Sequence, residues 1–377
     1  MTRKERLIKT LKGESVDRPP VSFYELNGLD EDINNKDPYN IYNDPSWKPL
    51  IELTKEKTDR IVIRSIIFNS FLPDVVSQFA EIEEYEKNDS LYTIKKIKIG
   101  NKILQSRTRR DKDVNTVWTE EHFIKDIDDL KAILMLPFEQ FSTNPDFESV
   151  LKTEEALSDT GIVMIDTPDP ICLAASLFSM DEYTIMALSE PELFHNLLER
   201  FAFILYNYTN HIAQRLPNRL WRIYGPEYAS EPFLPPRLFK EYVVKYDKLM
   251  IDMIHSTGGW ARVHSHGNLR NILDLILEMG ADAIDPIEPP PQGDVYLSYV
   301  REKYGKNFVL FGNLEITDIE NLPPSEFSRK VYSAIEEGTR GDGRGFVLMP
   351  SSCPYGRFLS PMTLRNYEII CEIIEKM

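Results

Sequence analysis

Short, wholly apolar runs alternate with longer amphipathic stretches through most of this chain. Gly161-Ile162-Val163-Met164-Ile165-Asp166 is the clearest run, and residues 220–227, 258–268, 281–285, 308–313 and 345–350 repeat the theme. Runs apolar on both faces belong in a parallel sheet covered by helices. Helical periodicity fills the intervals, over roughly 171–187, 190–215, 236–257, 268–279, 294–304, 324–337 and 361–376. Upstream, residues 2–12 read as a helix with Thr2 as cap and Glu5 three residues on. Asp17-Arg18-Pro19-Pro20 breaks it, and residues 21–25 read as a first strand. Residues 26–46, rich in Asn, Asp and Pro, suit a long loop, followed by a helix over 47–58 and a strand over 60–64. Strand–helix alternation with about eight candidate strands predicts a closed (β/α)8 barrel. An open doubly wound sheet is the competitor, but no Gly-rich dinucleotide fingerprint follows any strand.

One stretch breaks the pattern. Residues 91–102 alternate polar and apolar positions and meet Gly100-Asn101, and a second alternating run continues through Val117-Trp118-Thr119. This predicts an antiparallel hairpin or meander at about 80–125, inserted into the barrel as a candidate lid or dimer contact. The expected organisation is therefore one barrel domain over 1–377, with an N-terminal extension at 1–20 and the β insertion. A homodimer is an open expectation.

The hydrophobic content of 42% is ample for a core, and 44 basic against 60 acidic residues give a net charge of −16. That excess argues against nucleic acid as a partner, since neutralising phosphates needs surplus Lys and Arg. A local basic pocket remains compatible with it. Cys172, Cys353 and Cys371 are odd in number and far apart, so no disulfide framework is implied and a cytoplasmic location is expected. Neither a signal-peptide core nor an apolar run of membrane-spanning length is present, so no membrane partner is expected.

In a barrel the active site lies where the strands end. The sequence places Glu25, Asp166 with Asp169, Glu227, His264 with His266, Asp285 with Glu288, Asn313 with Glu315, and Cys353 at such ends. His264 and His266 are two apart and share a face. Together with Cys353 they offer three nitrogen and sulfur donors, the number a catalytic zinc takes while keeping a fourth position open. A thiol entering that position would become a thiolate. The plainer alternative is that strand ends are polar anyway, that several of these residues cap helices, and that a buried Cys is packing. Arg18, Arg262, Arg344 and Arg357 are candidates for pairing with carboxylates or phosphates. Cys172 and Cys371, in helical apolar settings, look structural.

The run Arg262-Val263-His264-Ser265-His266-Gly267 with Met279-Gly280-Ala281-Asp282-Ala283-Ile284-Asp285 resembles the uroporphyrinogen decarboxylase superfamily. So do the opening Arg3-Lys4-Glu5-Arg6, the segment Asp17-Arg18-Pro19-Pro20-Val21, and Leu310-Phe311-Gly312-Asn313-Leu314-Glu315. The resemblance implies a (β/α)8 barrel and two possible chemistries. True decarboxylases carry an Arg-Gln-Ala-Gly-Arg type pattern after Arg-Pro-Pro, where this chain has Ser22-Phe23-Tyr24-Glu25-Leu26-Asn27-Gly28. The corrinoid-linked methyltransferase branch uses a zinc site of His-x-Cys and a late Cys. His264 and Cys353 match two of those positions, and His266 stands at the third. The resemblance thus implies a zinc-dependent methyltransferase, with zinc on His264, His266 and Cys353. It would move a methyl group between a corrinoid, as substrate or on a partner protein, and a small-molecule donor or thiol acceptor. Glu227, Asp166 and Asp285 would be its catalytic carboxylates, and Tyr24, Glu25, Asn313 and Arg357 its substrate contacts. A carboxy-lyase acting on a polycarboxylate is the alternative, and a non-catalytic binding subunit a third.

Overall fold

The computed structural model describes residues 1–66, 75–137 and 145–377. Strand β1 (Arg60–Arg64) is followed by the insertion strands β2 (Glu81–Lys87), β3 (Ser90–Ile99), β4 (Lys102–Asp111) and β5 (Val117–Glu121). The chain continues with β6 (Gly161–Pro168), β7 (Leu220–Tyr224), β8 (Trp260–His264), β9 (Ala283–Asp285), β10 (Val309–Leu314) and β11 (Gly345–Pro350). β1 and β6 to β11 form one curled parallel sheet whose order follows the sequence, and β2 to β5 form a separate antiparallel sheet. The α/β alternation and the antiparallel insertion are therefore as the pattern predicts.

The eighth strand expected at 21–25 is not a regular strand. Val21 makes a single parallel bridge to Leu348. Ser22 N donates to Leu348 O (3.1 Å), Leu348 N to Pro20 O (2.9 Å), and Asp59 N to Val21 O (2.7 Å), so this short segment bonds toward both edges of the seven-stranded sheet. Two physical features stop it extending. Pro19 and Pro20 carry no N–H, and Glu25, at φ 52°, turns the chain out of the extended region.

Period-two alternation divides the core. One face of the sheet packs Val163, Ile165, Ile223, Val263 and Leu310 against the surrounding helices. The other gathers Ile61, Ile162, Met164, Leu220, Val309, Phe311 and Val347 into an inner cluster, joined by Leu7 and Leu11 of the helix Arg3–Leu11. That helix opens with the expected capping box: Thr2 Oγ1 accepts from Glu5 N, and Glu5 takes the N–H of Thr2. The helix expected from 268 begins at Leu273, because Asp294 holds the free N–H groups of Leu269 and Arg270 in a turn (2.8 and 3.0 Å). Among the described residues, no helix is long and apolar enough to cross a membrane.

Candidate active site

The strand residues that continue the inner face toward the C-terminal ends are charged or polar. Two steps beyond Met164 is Asp166, beyond Leu220 is Arg222, beyond Ala283 is Asp285, and beyond Phe311 is Asn313; Arg262 and His264 continue β8. A buried charge must be paired, and these charges pair with one another. Arg222 grips Asp166 with Nε (2.6 Å) and Nη2 (3.1 Å). Its Nη1 donates to the Tyr24 hydroxyl and reaches Glu25 Oε1 at 3.3 Å. Arg262, almost wholly enclosed, grips both oxygens of Asp285, and its guanidinium lies over the Phe311 ring at 4.6 Å. Asp285 Oδ2 also accepts from His264 Nδ1 at 2.8 Å. Burial alone would raise the Asp285 pKa, but Arg262 and His264 hold it well below the usual carboxylate range.

These contacts form one chain. With Asp285 fixing Nδ1 as donor, the His264 Nε2 faces the Tyr24 hydroxyl at 3.4 Å, and the two rings stack 5.7 Å apart. Arg222 closes the chain on the other side of the same hydroxyl. Burial raises the Tyr24 pKa well above that of an ordinary phenol, against the opposing pull of Arg222. The expected catalytic residue Asp285 is thus sealed inside, where it orients other groups, and Asp166 holds Arg222.

His266 stands edge-on to His264, with ring centroids 4.7 Å apart. Its Nδ1 is 3.0 Å from Glu288, which also accepts the N–H of Gly267. Burial works against the charged ring, yet Glu288 lifts the His266 pKa above its ordinary value. Burial lifts Glu315, aided by the negative charge of Glu288, to about 7. One Glu315 oxygen is 3.3 Å from Ser351 Oγ, and the other has no partner among the described residues. Glu227 accepts from Gly225 N at 3.2 Å and adds its charge to the surroundings of His266.

Cys353 does not join the histidines. It packs against the large core cluster, and burial, aided by the charge of Glu25, pushes its thiol up to about 12. Among the described residues no three His, Cys, Asp or Glu side chains gather as a metal site. The two imidazoles, each backed by a carboxylate, have the arrangement of metal-bound histidines, but the three donors do not fit a shared zinc as placed. Arg357 is also committed elsewhere. It donates to the carbonyls of Pro38, Asn40 and Lys112 and to Asn43 Oδ1, tying the 26–46 loop to the insertion.

Three groups escaped the sequence reading. Arg222 sat in plain view as a charge inside a short apolar strand, which signals a buried partner. Asp247 lies within a helix and meets Asp169 across the core, and both are fully buried. Burial raises both carboxyls, and that of Asp169 rises further from the charge of Asp247, so the pair retains a proton. Cys172, read as structural, lies against this pair: Asp169 Oδ1 accepts its N–H at 2.6 Å. Gly225 makes the close approach possible. At φ +123°, a Cβ there would stand 2.2 Å from Asp169 Oδ1 and 2.4 Å from the Cys172 Cβ.

The family profile described as Uroporphyrinogen decarboxylase (URO-D) matches residues 113–356. No curated protein matches the sequence. Among solved structures, a methyltransferase from Methanosarcina mazei is similar, with a TM-score of 0.61 at 16% identity over 100% of this chain and 99% of that one.

Proposed function

Because the chain belongs to the uroporphyrinogen decarboxylase family, an enzyme family, we propose that it is a methyltransferase built on that family's barrel. It moves a methyl group between a corrinoid, carried by a partner protein, and a small molecule. The carrying observation is the chain Arg262–Asp285–His264–Tyr24–Arg222. It handles protons and leaves neither arginine free for an anion.

Methyl transfer to a thiol, hydroxyl or amine releases one proton from the acceptor, and transfer from such an atom requires one. His264 Nε2 takes the acceptor's proton, and Asp285 balances the imidazolium charge that develops. Tyr24, held by Arg222, relays that proton by giving its own hydroxyl hydrogen to His264 Nε2 as it takes the acceptor's, and the opposite shift serves the reverse direction. When bound, the corrinoid supplies or takes up the methyl group. Glu227, Glu25 and Asn313 surround this centre as substrate contacts. No step uses zinc, since Cys353 stands apart from the two histidines.

The alternative, removal of a carboxyl group from a polycarboxylate, needs unpaired cations at the strand ends. Arg222 and Arg262 are neutralised by Asp166 and Asp285, and residues 67–74 and 138–144 contain no Lys, Arg or His. The likeness to a solved methyltransferase favours the first reading. The test is NMR of the protein with 13C-methyl-labelled methylcobalamin and small thiols, phenols and amines. Label appearing on one acceptor class supports the proposal. Carbon dioxide released from a polycarboxylate, with no label moved, overturns it.

A further inference from the structure

A cavity of about 330 Å³ opens beside the C-terminal end of β10. Pro290, Leu297 and Phe327 supply apolar wall, and the Tyr296 ring, 58% exposed, lies at its side. Its charged groups are Glu315, Asp318, Lys330 and Glu337. Lys330 is 3.2 Å from Asp318, so that pair is neutral. Glu337 accepts from Ser298 N (2.9 Å) and Ser333 Oγ (3.0 Å). Glu315 is left with one weak contact, from Ser351, and an oxygen without a partner among the described residues, although it is only 7% exposed. Beyond its one ion pair the wall therefore carries the Glu337 carboxylate and the Glu315 carboxyl, which a cation would draw into its charged form. A buried carboxyl with an unmet oxygen is costly, and a ligand bringing positive charge removes that cost. Apolar walls and an accessible aromatic ring suit a cation whose charge is wrapped in alkyl groups. The volume, at the small end of the ligand-pocket range of roughly 300–1,000 Å³, limits it to a small molecule.

We propose that this cavity binds a small organic ammonium ion, with its alkyl groups against Pro290, Leu297, Phe327 and Tyr296 and its charge toward Glu315. Glu315 also feels the charges of Glu288 and His266, so the cavity adjoins the strand-end site. As the pocket of the methyl donor or acceptor the inference rests on the methyl-transfer reading, whereas as a binding site it stands without it. The test is calorimetric titration of the full chain with tetramethylammonium, choline and 3,3-dimethyl-1-butanol, the uncharged isostere of choline. A cation is expected to bind once per chain and at least tenfold more tightly than the isostere. Glu315→Gln is expected to lose that preference while leaving the weak binding of the isostere unchanged. Absence of binding by either cation at millimolar concentration overturns the proposal, as does equal affinity for choline and its isostere in the native chain. Cation binding without methyl transfer would keep this site and remove the function proposed above. Methyl transfer without cation binding would do the reverse.

Discussion

Asp285→Asn is the most informative single change in the charged chain. The substitution keeps the shape of the side chain and removes its charge. In the native protein the carboxylate is wholly buried, accepts two guanidinium bonds from the enclosed Arg262, and accepts a third from His264. An amide at this place leaves the Arg262 charge uncompensated and turns an N–H toward a donor. Removing one partner of a buried pair costs about 3–5 kcal/mol. An unfolding entropy of about 2.1 cal/mol/K per residue over 377 residues gives about 0.8 kcal/mol/K, so Tm should fall by about 4–6 °C at pH 7, read by scanning calorimetry. The folded Asp285 carboxyl is held below its ordinary value. Its contribution is therefore full above the unfolded carboxyl pKa of about 3.9 and is lost as pH falls below it. The gap between native and variant Tm should shrink in acid. Arg262→Met in the Asp285→Asn background should recover part of the loss, since no unpaired charge then remains. A Tm change under about 1 °C at pH 7, on the scale just derived, or a gap indifferent to acid, would refute the reasoning.

Other consequences follow from the same geometry. Asp247→Asn should stabilise the protein, because the native pair must hold a proton that the unfolded chain releases above about pH 4. Its Tm advantage should grow between pH 6 and 8, and a constant advantage would argue against a shared proton. Gly225→Ala should cost about 2–4 kcal/mol through the contact with Asp169 and the positive φ, as urea denaturation would show. Arg357→Lys should speed proteolysis of the 26–46 loop and cost about 1–2 kcal/mol while changing kcat/KM by less than about threefold. A hundredfold loss of kcat/KM would instead restore Arg357 as a substrate contact.

What the sequence disclosed and what it hid divide along one physical line. Strands such as 161–166 and 345–350 were legible because a buried strand must be apolar on both faces, and residues 91–102 because a half-exposed one must alternate. The strand ends were legible as polar. Their partners were not. Asp285 reads as a catalytic carboxylate until Arg262 is seen gripping it. Arg357 reads as a ligand for anions until its N–H groups are traced to main-chain carbonyls. Asp247 gives no local signal, since its partner Asp169 lies far away in sequence. Whether Cys353 meets the histidines depends on the turn after β11, and sequence spacing does not determine it. Residues 21–25 carry strand-like composition, but a proline pair and the turn at Glu25 confine them to a bridge.

The most direct test of proton handling at the His264–Tyr24 contact is single-turnover methyl transfer by the native chain, Tyr24→Phe and His264→Asn. It would use methylcobalamin and the acceptor class identified by NMR, with melting curves alongside. Native protein should form one methylated product per corrinoid consumed. Both variants should remain folded and react at least about 100-fold more slowly, the range expected for loss of a proton-transfer group. Native rates in either folded variant would contradict the role given to that residue, and no methylated product from the native chain would contradict methyl transfer itself.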